Sequence, residues 1–177
     1  MQIGDSTGLD LDALPGYLAD VGVDAFYPDN AGGRSIVERL GDDPNAADVA
    51  EGVRANGFGG CWVLLLGTND AANVAAGANV GLDERIDRMM AVIGGDPVLW
   101  VNVASISAIQ HYTPADMDAF NDALARATFR YPNLRPYDWS AVVRPEWFVA
   151  DGVHPNAEGR VWRAALIAQA LARAFPA

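Results

Sequence analysis

The stretch Cys61-Trp62-Val63-Leu64-Leu65-Leu66-Gly67-Thr68-Asn69-Asp70 decides the reading of this chain. Its first six residues are apolar without alternation, the pattern of a strand covered on both faces in a parallel sheet, and a glycine with three polar residues then breaks it. Working outward, Ala46 to Asn56 reads as a helix capped by Asn45 and stopped at Gly57. On the other side, Leu82 to Ile93 places Ile86, Met89, Met90 and Ile93 at helical spacing, and Gly94-Gly95 ends it. Pro97 to Ala104 predicts another strand. Thr113 followed by Pro114 predicts a capped helix running to about Phe129. Leu134 to Trp139 and Ala157 to Phe175 supply a last strand and a closing helix. Toward the amino end, Ser35 to Leu40 reads as helix, Val23 to Tyr27 as strand and Leu9 to Val21 as helix, with Met1 to Ile3 as a very short first strand. Strands alternating with helices predict an α/β sandwich around a mostly parallel five-stranded sheet, one domain over residues 1–177.

The 177 residues are enough to bury a core without disulfide or metal staples. Twelve basic against 23 acidic residues give a formal charge of −11, the wrong sign for a nucleic-acid backbone or an anionic membrane surface. Every cation is arginine. That excludes a Schiff-base lysine, a P-loop lysine and a Ser-Lys dyad. The lone cysteine excludes an internal disulfide, and with two histidines it leaves too few ligands for the usual zinc sets unless carboxylates fill in; the acyl-transfer chemistry read below implies no metal or cofactor. No apolar run reaches membrane-span length and no signal-peptide pattern is visible. The expectation is a soluble chain, cytoplasmic if complete. The short first strand also fits a domain trimmed from a longer, extracytoplasmic parent.

Three polar segments fall at or beyond the carboxyl ends of expected strands, the edge at which open α/β sheets bind ligands. Gly4-Asp5-Ser6 puts a hydroxyl on a strand-to-helix turn, where backbone N–H groups favour developing negative charge; the same pair can serve simply as a helix cap. Gly67-Thr68-Asn69-Asp70 offers an asparagine amide suited to an oxyanion, or else a polar turn that caps the next helix. In Asp151-Gly152-Val153-His154-Pro155 an acid three residues before a histidine can bend back onto imidazole Nδ1 and leave Nε2 free to take a hydroxyl proton. Together they supply a nucleophile, an oxyanion donor, a base and an orienter, the set needed for acyl transfer.

This constellation resembles the SGNH, or GDSL, hydrolase superfamily from Gly4 to Pro155. The resemblance implies a flavodoxin-like three-layer α/β/α sandwich with strand order 2-1-3-4-5. It also implies Ser6 as nucleophile, with Asp151 and His154 completing the triad. The oxyanion donors it implies are the N–H groups of Ser6 and Gly33 and the side chain of Asn69; Gly33, just before Arg34, is preferred to Gly32. The implied activity is serine esterase chemistry on short acyl esters or O-acetylated carbohydrate. The set Gly33-Arg34-Ser35, Tyr137-Asp138-Trp139 and Asp151 to Pro155 is also similar to SGNH domains that transfer acyl groups onto glycan hydroxyls. A glycan-binding module that keeps the fold without the chemistry is the reading from another class.

Arg34, His111 and Trp147 are further candidates for substrate contact: Arg34 beside the oxyanion loop, His111 in a loop at the expected active edge, Trp147 just before the Asp-His turn. Trp62 and Trp100 fit strand patterns and Cys61 opens one, so these three read as core.

Overall fold

A computed structural model describes residues 1–176. Five parallel strands, β1 (Gln2–Gly4), β2 (Pro28–Asn30), β3 (Trp62–Leu65), β4 (Val98–Val101) and β5 (Leu134–Tyr137), form one sheet in the order β2-β1-β3-β4-β5. Six helices cover it: α1 (Leu14–Asp20), α2 (Ala46–Ala55), α3 (Thr68–Ala75), α4 (Leu82–Ile93), α5 (Pro114–Ala127) and α6 (Ala157–Ala174). Both the three-layer architecture and the strand order are those expected.

Alternation along the strands builds two cores. Ile3, Trp62, Leu64, Val98, Trp100 and Leu134 face one side, where Ile86, Met89 and Met90 of α4 and Phe120 and Leu124 of α5 meet them. Val63, Leu65, Leu99 and Val101 face the other, under Leu14 and Leu18 of α1 and Ile167 and Leu171 of α6. Each of these buried aliphatic side chains contributes about 1.5–3 kcal/mol. Because neighbouring residues of β3 feed opposite cores, its unbroken apolar run is required on both faces. Trp62 and Trp100 are fully buried, whereas Cys61 is only partly so and its carbonyl accepts from the Met1 ammonium.

Local chemistry moves several boundaries. Asp5 accepts from the Thr7 N–H and caps a 3₁₀ turn over Ser6–Gly8, while Asp10 takes a left-handed φ of 56°, so the first helix waits until Pro15 can occupy its opening turn at Leu14. The second strand forms at Pro28–Asn30 instead of Val23 to Tyr27, because Asn30 answers polar groups of the neighbouring segment: its Oδ1 accepts from Gln2 Nε2 and its Nδ2 donates to the Gly8 carbonyl. Val23 and Phe26 instead pack as loop against the α1 and α6 side. Ser35 to Leu40 is not helical. The Ile36 N–H is taken by the Asp70 carboxylate, Ser35 bonds Glu38, and Glu38 is drawn onto Arg85, so long-range partners outcompete the local helix. Gly67 to Asp70, for which a polar turn capping a helix is one of two readings, leads straight into α3, with Thr68 to Asp70 as its first turn.

Candidate active site

Four segments from separate parts of the chain meet at the carboxyl edge of the sheet. Ser6 follows β1 as the first residue of the 3₁₀ turn, and its Oγ lies 2.8 Å from His154 Nε2. His154 Nδ1 lies 2.7 Å from Asp151 Oδ2. The other carboxylate oxygen, Oδ1, accepts from the backbone N–H groups of Val153 at 2.8 Å and His154 at 3.0 Å. Burial works to raise the Asp151 carboxyl, but those two N–H groups and the imidazole outweigh it and hold it below the usual carboxylate range. The tight turn needs Gly152, at φ 71°: a Cβ there would stand 2.9 Å from the backbone of Ser107.

The loop after β2 brings Gly33 to the same place. It is held in the left-handed region at φ 69°, and a Cβ would sit 2.7 Å from Leu40 Cδ2. Among the described residues neither the Ser6 nor the Gly33 N–H has an acceptor within the chain. Asn69, in the first turn of α3, donates from Nδ2 to the Arg34 carbonyl at 3.0 Å, and its Oδ1 accepts from the Tyr112 hydroxyl at 3.2 Å. Ser6, Gly33, Asn69, Asp151 and His154 line one cavity of about 380 Å³, together with Thr68, Ile109, Tyr112 and Val153. Gly32 does not.

Buried ions hold these loops from behind. Asp70 and Arg85 are fully buried and paired at 3.0 Å; Arg85 also clasps Glu38 and donates to the Val80 carbonyl. Burial raises the Asp70 carboxyl to about 6, against the opposing pull of the Ile36 N–H and Arg85. The Arg85 guanidinium draws Glu38 down to about 2. Beneath Ser6, burial raises the Asp5 carboxyl against the Thr7 hydrogen bonds and the Arg163 charge. Arg163 donates to the Thr7 carbonyl at 2.9 Å and lies over the Trp139 ring, and burial brings it down to about 10.

Three of the expected substrate contacts lie elsewhere. The Arg34 guanidinium is buried, paired with Asp29 at 2.8 Å and turned toward the Asp29 and Gly4 carbonyls, so the residue meets the site through its own carbonyl. Trp147 is 4% exposed and stacked between Trp139 and Trp162 with Arg144 over its ring, which makes it part of the packing under α6. His111 is outside the cavity lining; its φ of 70° turns the chain so that the next residue, Tyr112, faces Asn69. Sequence reasoning passed over Tyr112 and Ile109. The one available signal was a tyrosine directly before the Thr113 cap, in a loop at the active edge.

Geometrically, the Ser6–His154–Asp151 chain can move a proton off a hydroxyl, and free N–H groups beside it can receive negative charge. Comparison with solved structures places the fold in a known class. The catalytic domain of the Streptococcus pneumoniae peptidoglycan O-acetyltransferase A, solved with a methylsulfonyl adduct, matches with a TM-score of 0.71 at 18% identity, over 98% of this chain and 90% of that one. A provisionally named arylesterase from Agrobacterium tumefaciens gives a TM-score of 0.77 at 19% identity, over 97% and 95% of the two chains. A member of the lipolytic G-D-S-L family from Veillonella parvula gives 0.67 at 16%, over 98% and 96%. The chain thus has the SGNH (GDSL) hydrolase fold, shared by hydrolases and acyltransferases. No family model and no curated protein matches its sequence.

Proposed function

We propose that the whole chain is one catalytic unit, a serine-dependent carboxylic ester hydrolase acting through an acyl-enzyme. The observation that carries this reading is the unbroken hydrogen-bonded chain from Ser6 Oγ through His154 to Asp151, at 2.8 and 2.7 Å, opening on a cavity that also holds Gly33 and Asn69. In this mechanism His154 Nε2 takes the Ser6 proton as Oγ adds to the ester carbonyl carbon. The carbonyl π pair moves onto oxygen, where the Ser6 and Gly33 N–H groups and the Asn69 side chain meet it. Collapse expels the alkoxide, which takes the proton from His154 and leaves as the alcohol. Water then repeats the sequence, releasing the carboxylic acid and restoring Ser6. Asp151 stays ionised throughout and stabilises the imidazolium.

The lining also bears on the substrate. Among the described residues no arginine lines the cavity, its one carboxylate is Asp151, and the guanidinium of Arg34, next to Gly33, is buried on Asp29. An uncharged ester, such as a short acyl ester or an O-acetylated sugar, suits that lining better than an anionic acyl donor. The likeness to an O-acetyltransferase domain supports a second reading, in which a glycan hydroxyl replaces water in the second half.

Ser6→Ala should abolish turnover of a short p-nitrophenyl ester, and a fluorophosphonate should label Ser6 alone. Turnover near the wild-type rate in that variant, or no labelling, overturns the assignment and favours a non-catalytic glycan-binding module. Counting acyl groups transferred to an added saccharide against those hydrolysed separates the two readings.

A further inference from the structure

We propose that Tyr112 is a positioning residue of this site, whose hydroxyl locks the Asn69 amide so that one amide N–H faces the oxyanion; the proposal rests on the reading of Asn69 as an oxyanion donor. The Arg34 carbonyl can only accept, so the Asn69 atom 3.0 Å from it is the nitrogen. That leaves the amide oxygen facing the Tyr112 hydroxyl at 3.2 Å, and the phenol must donate. With the oxygen held by Tyr112 and one N–H spent on Arg34, a single N–H remains, and Asn69 lines the same cavity as Ser6 and Gly33. Without the phenol the amide is held by one bond and can rotate about its Cβ–Cγ axis. Burial raises the phenol above its ordinary range, which keeps it a donor.

Tyr112 is itself tightly placed. Its carbonyl accepts from Ser105 Oγ at 2.6 Å, its N–H donates to the Ile109 carbonyl, and the following Thr113 is pinned by a reciprocal capping box with Asp116. The same Ser105 Oγ lies 3.0 Å from the Gly152 carbonyl, which also accepts from the Ile106 N–H at 2.8 Å. Residues 105–112 therefore form a strap tied at one end to the Asp151–His154 turn and at the other, through Tyr112, to the oxyanion amide. The two halves of the machinery come from segments some 80 residues apart, and this strap spans them.

The test compares Tyr112→Phe, Asn69→Ala and the double variant on a short p-nitrophenyl ester. Asn69→Ala is expected to lower kcat about 100-fold or more. Tyr112→Phe is expected to lower kcat about tenfold, as one hydrogen bond's worth of orientation is lost, with KM within twofold. In the Asn69→Ala background the tyrosine substitution should do nothing further, since Tyr112 acts only through that amide. A full tenfold loss in that background, or no loss in Tyr112→Phe alone, overturns the proposal. An unchanged Asn69→Ala overturns the oxyanion reading and the proposal with it, while an inactive Ser6→Ala still upholds the esterase. If Tyr112→Phe does not fold, ¹⁵N-edited NMR of the Asn69 amide in the unaltered protein decides. One amide proton should shift on forming a phosphonate adduct at Ser6 and the other stay; averaged, coincident amide protons overturn the proposal.

Discussion

Replacing Asp151 by asparagine removes one charge and almost no volume, and it separates orientation from packing. Oδ1 can go on accepting from the Val153 and His154 N–H groups at 2.8 and 3.0 Å, so the turn keeps its backbone partners. The change falls on the other side, where an NH₂ group replaces the oxygen that stands 2.7 Å from His154 Nδ1. A donor there forces Nδ1 to accept. The single ring proton then moves to Nε2, which faces Ser6 Oγ at 2.8 Å and can no longer take the hydroxyl proton. Rotating the amide the other way sets the NH₂ against two backbone N–H donors, which is no escape. In the Ser-His-Asp template this tautomer error alone costs about 10⁴-fold in kcat, or about 5 kcal/mol. Both side chains are partly open to solvent, 42% for His154 and 35% for Asp151, which weakens the electrostatic share but not the tautomer share. A loss of about 10³- to 10⁴-fold is therefore expected. The assay is the burst and steady-state release of p-nitrophenolate from a short ester at neutral pH, beside a thermal melt. The melt should stay within a few degrees of wild type, whereas Asp151→Ala, which orphans both N–H groups, should lose about 1–3 kcal/mol of stability as well. An Asp151→Asn enzyme within tenfold of wild type would refute the tautomer argument.

Two further outcomes follow from the buried ions. Arg163→Met should destabilise the fold by about 3–5 kcal/mol, because it leaves Asp5 buried without its compensating charge, and adding Asp5→Asn should recover part of that in denaturant melts; no recovery would show the two do not compensate each other. Asp70 is raised by burial from 3.8 to about 6, so it binds its proton more tightly folded than unfolded, and its contribution to stability is present below about pH 4 and lost as pH rises through about 6. Asp70→Asn should accordingly gain on wild type in unfolding free energy between pH 4 and 7, by up to about 3 kcal/mol in denaturant melts, and a constant difference across that range would contradict the raised carboxyl.

What the sequence made legible was whatever local chemistry or periodicity decides. The run Cys61 to Leu66 reads as a strand covered on both faces and forms one over Trp62–Leu65, and Asn45 and Thr113 cap the helices they precede with their own side chains. The elements that were missed or displaced are governed by partners far along the chain. Ser35 to Leu40 has helical spacing, yet Asp70 and Arg85 pull it open from 34 and 47 residues away. Pro28 to Asn30, and not Val23 to Phe26, pair with β1, anchored by the Asn30 amide on Gln2 and the Gly8 carbonyl, while Tyr27 gives only its carbonyl to the Gln2 N–H. The candidate site divides in the same way. Ser6, Asp151 and His154 stand in short motifs at the carboxyl edge of the sheet, where the fold joins Ser6 to the Asp151–His154 turn, while the choice of Gly33 over Gly32 depends on which of two neighbours turns into the cavity. Arg34 and Trp147 carry side chains suited to a ligand, but burial had already committed both, and no local pattern reports the direction of a guanidinium or an indole.

The arginine-only composition takes on a specific sense in this light. Three arginines are buried, and each ties an active-edge loop to its scaffold, Arg34 and Arg85 the loop after β2 and Arg163 the Ser6 turn. Arg34 joins the β2 loop to the end of β1 through the Asp29 carboxylate and the Asp29 and Gly4 carbonyls. Arg85 joins that same loop to α3 and α4 through Glu38, Asp70 and the Val80 carbonyl. Arg163 joins the Ser6 turn to α6 through the Thr7 carbonyl while its face lies on Trp139. Arg34 and Arg85 each grip several acceptors at once from a planar fork, and Arg163 bonds at its edge while stacking on its face; a lysine ammonium has neither the fork nor the plane. The charge is needed as well, since Asp70 and Asp5 are buried carboxyls that would otherwise stand alone. These clamps fix backbone, and backbone is what the proposed chemistry uses: the Ser6 and Gly33 N–H groups and the Arg34 carbonyl that holds Asn69. Lysine is thus absent from the positions where it would serve worst, and the cations that replace it do their work one layer behind the serine.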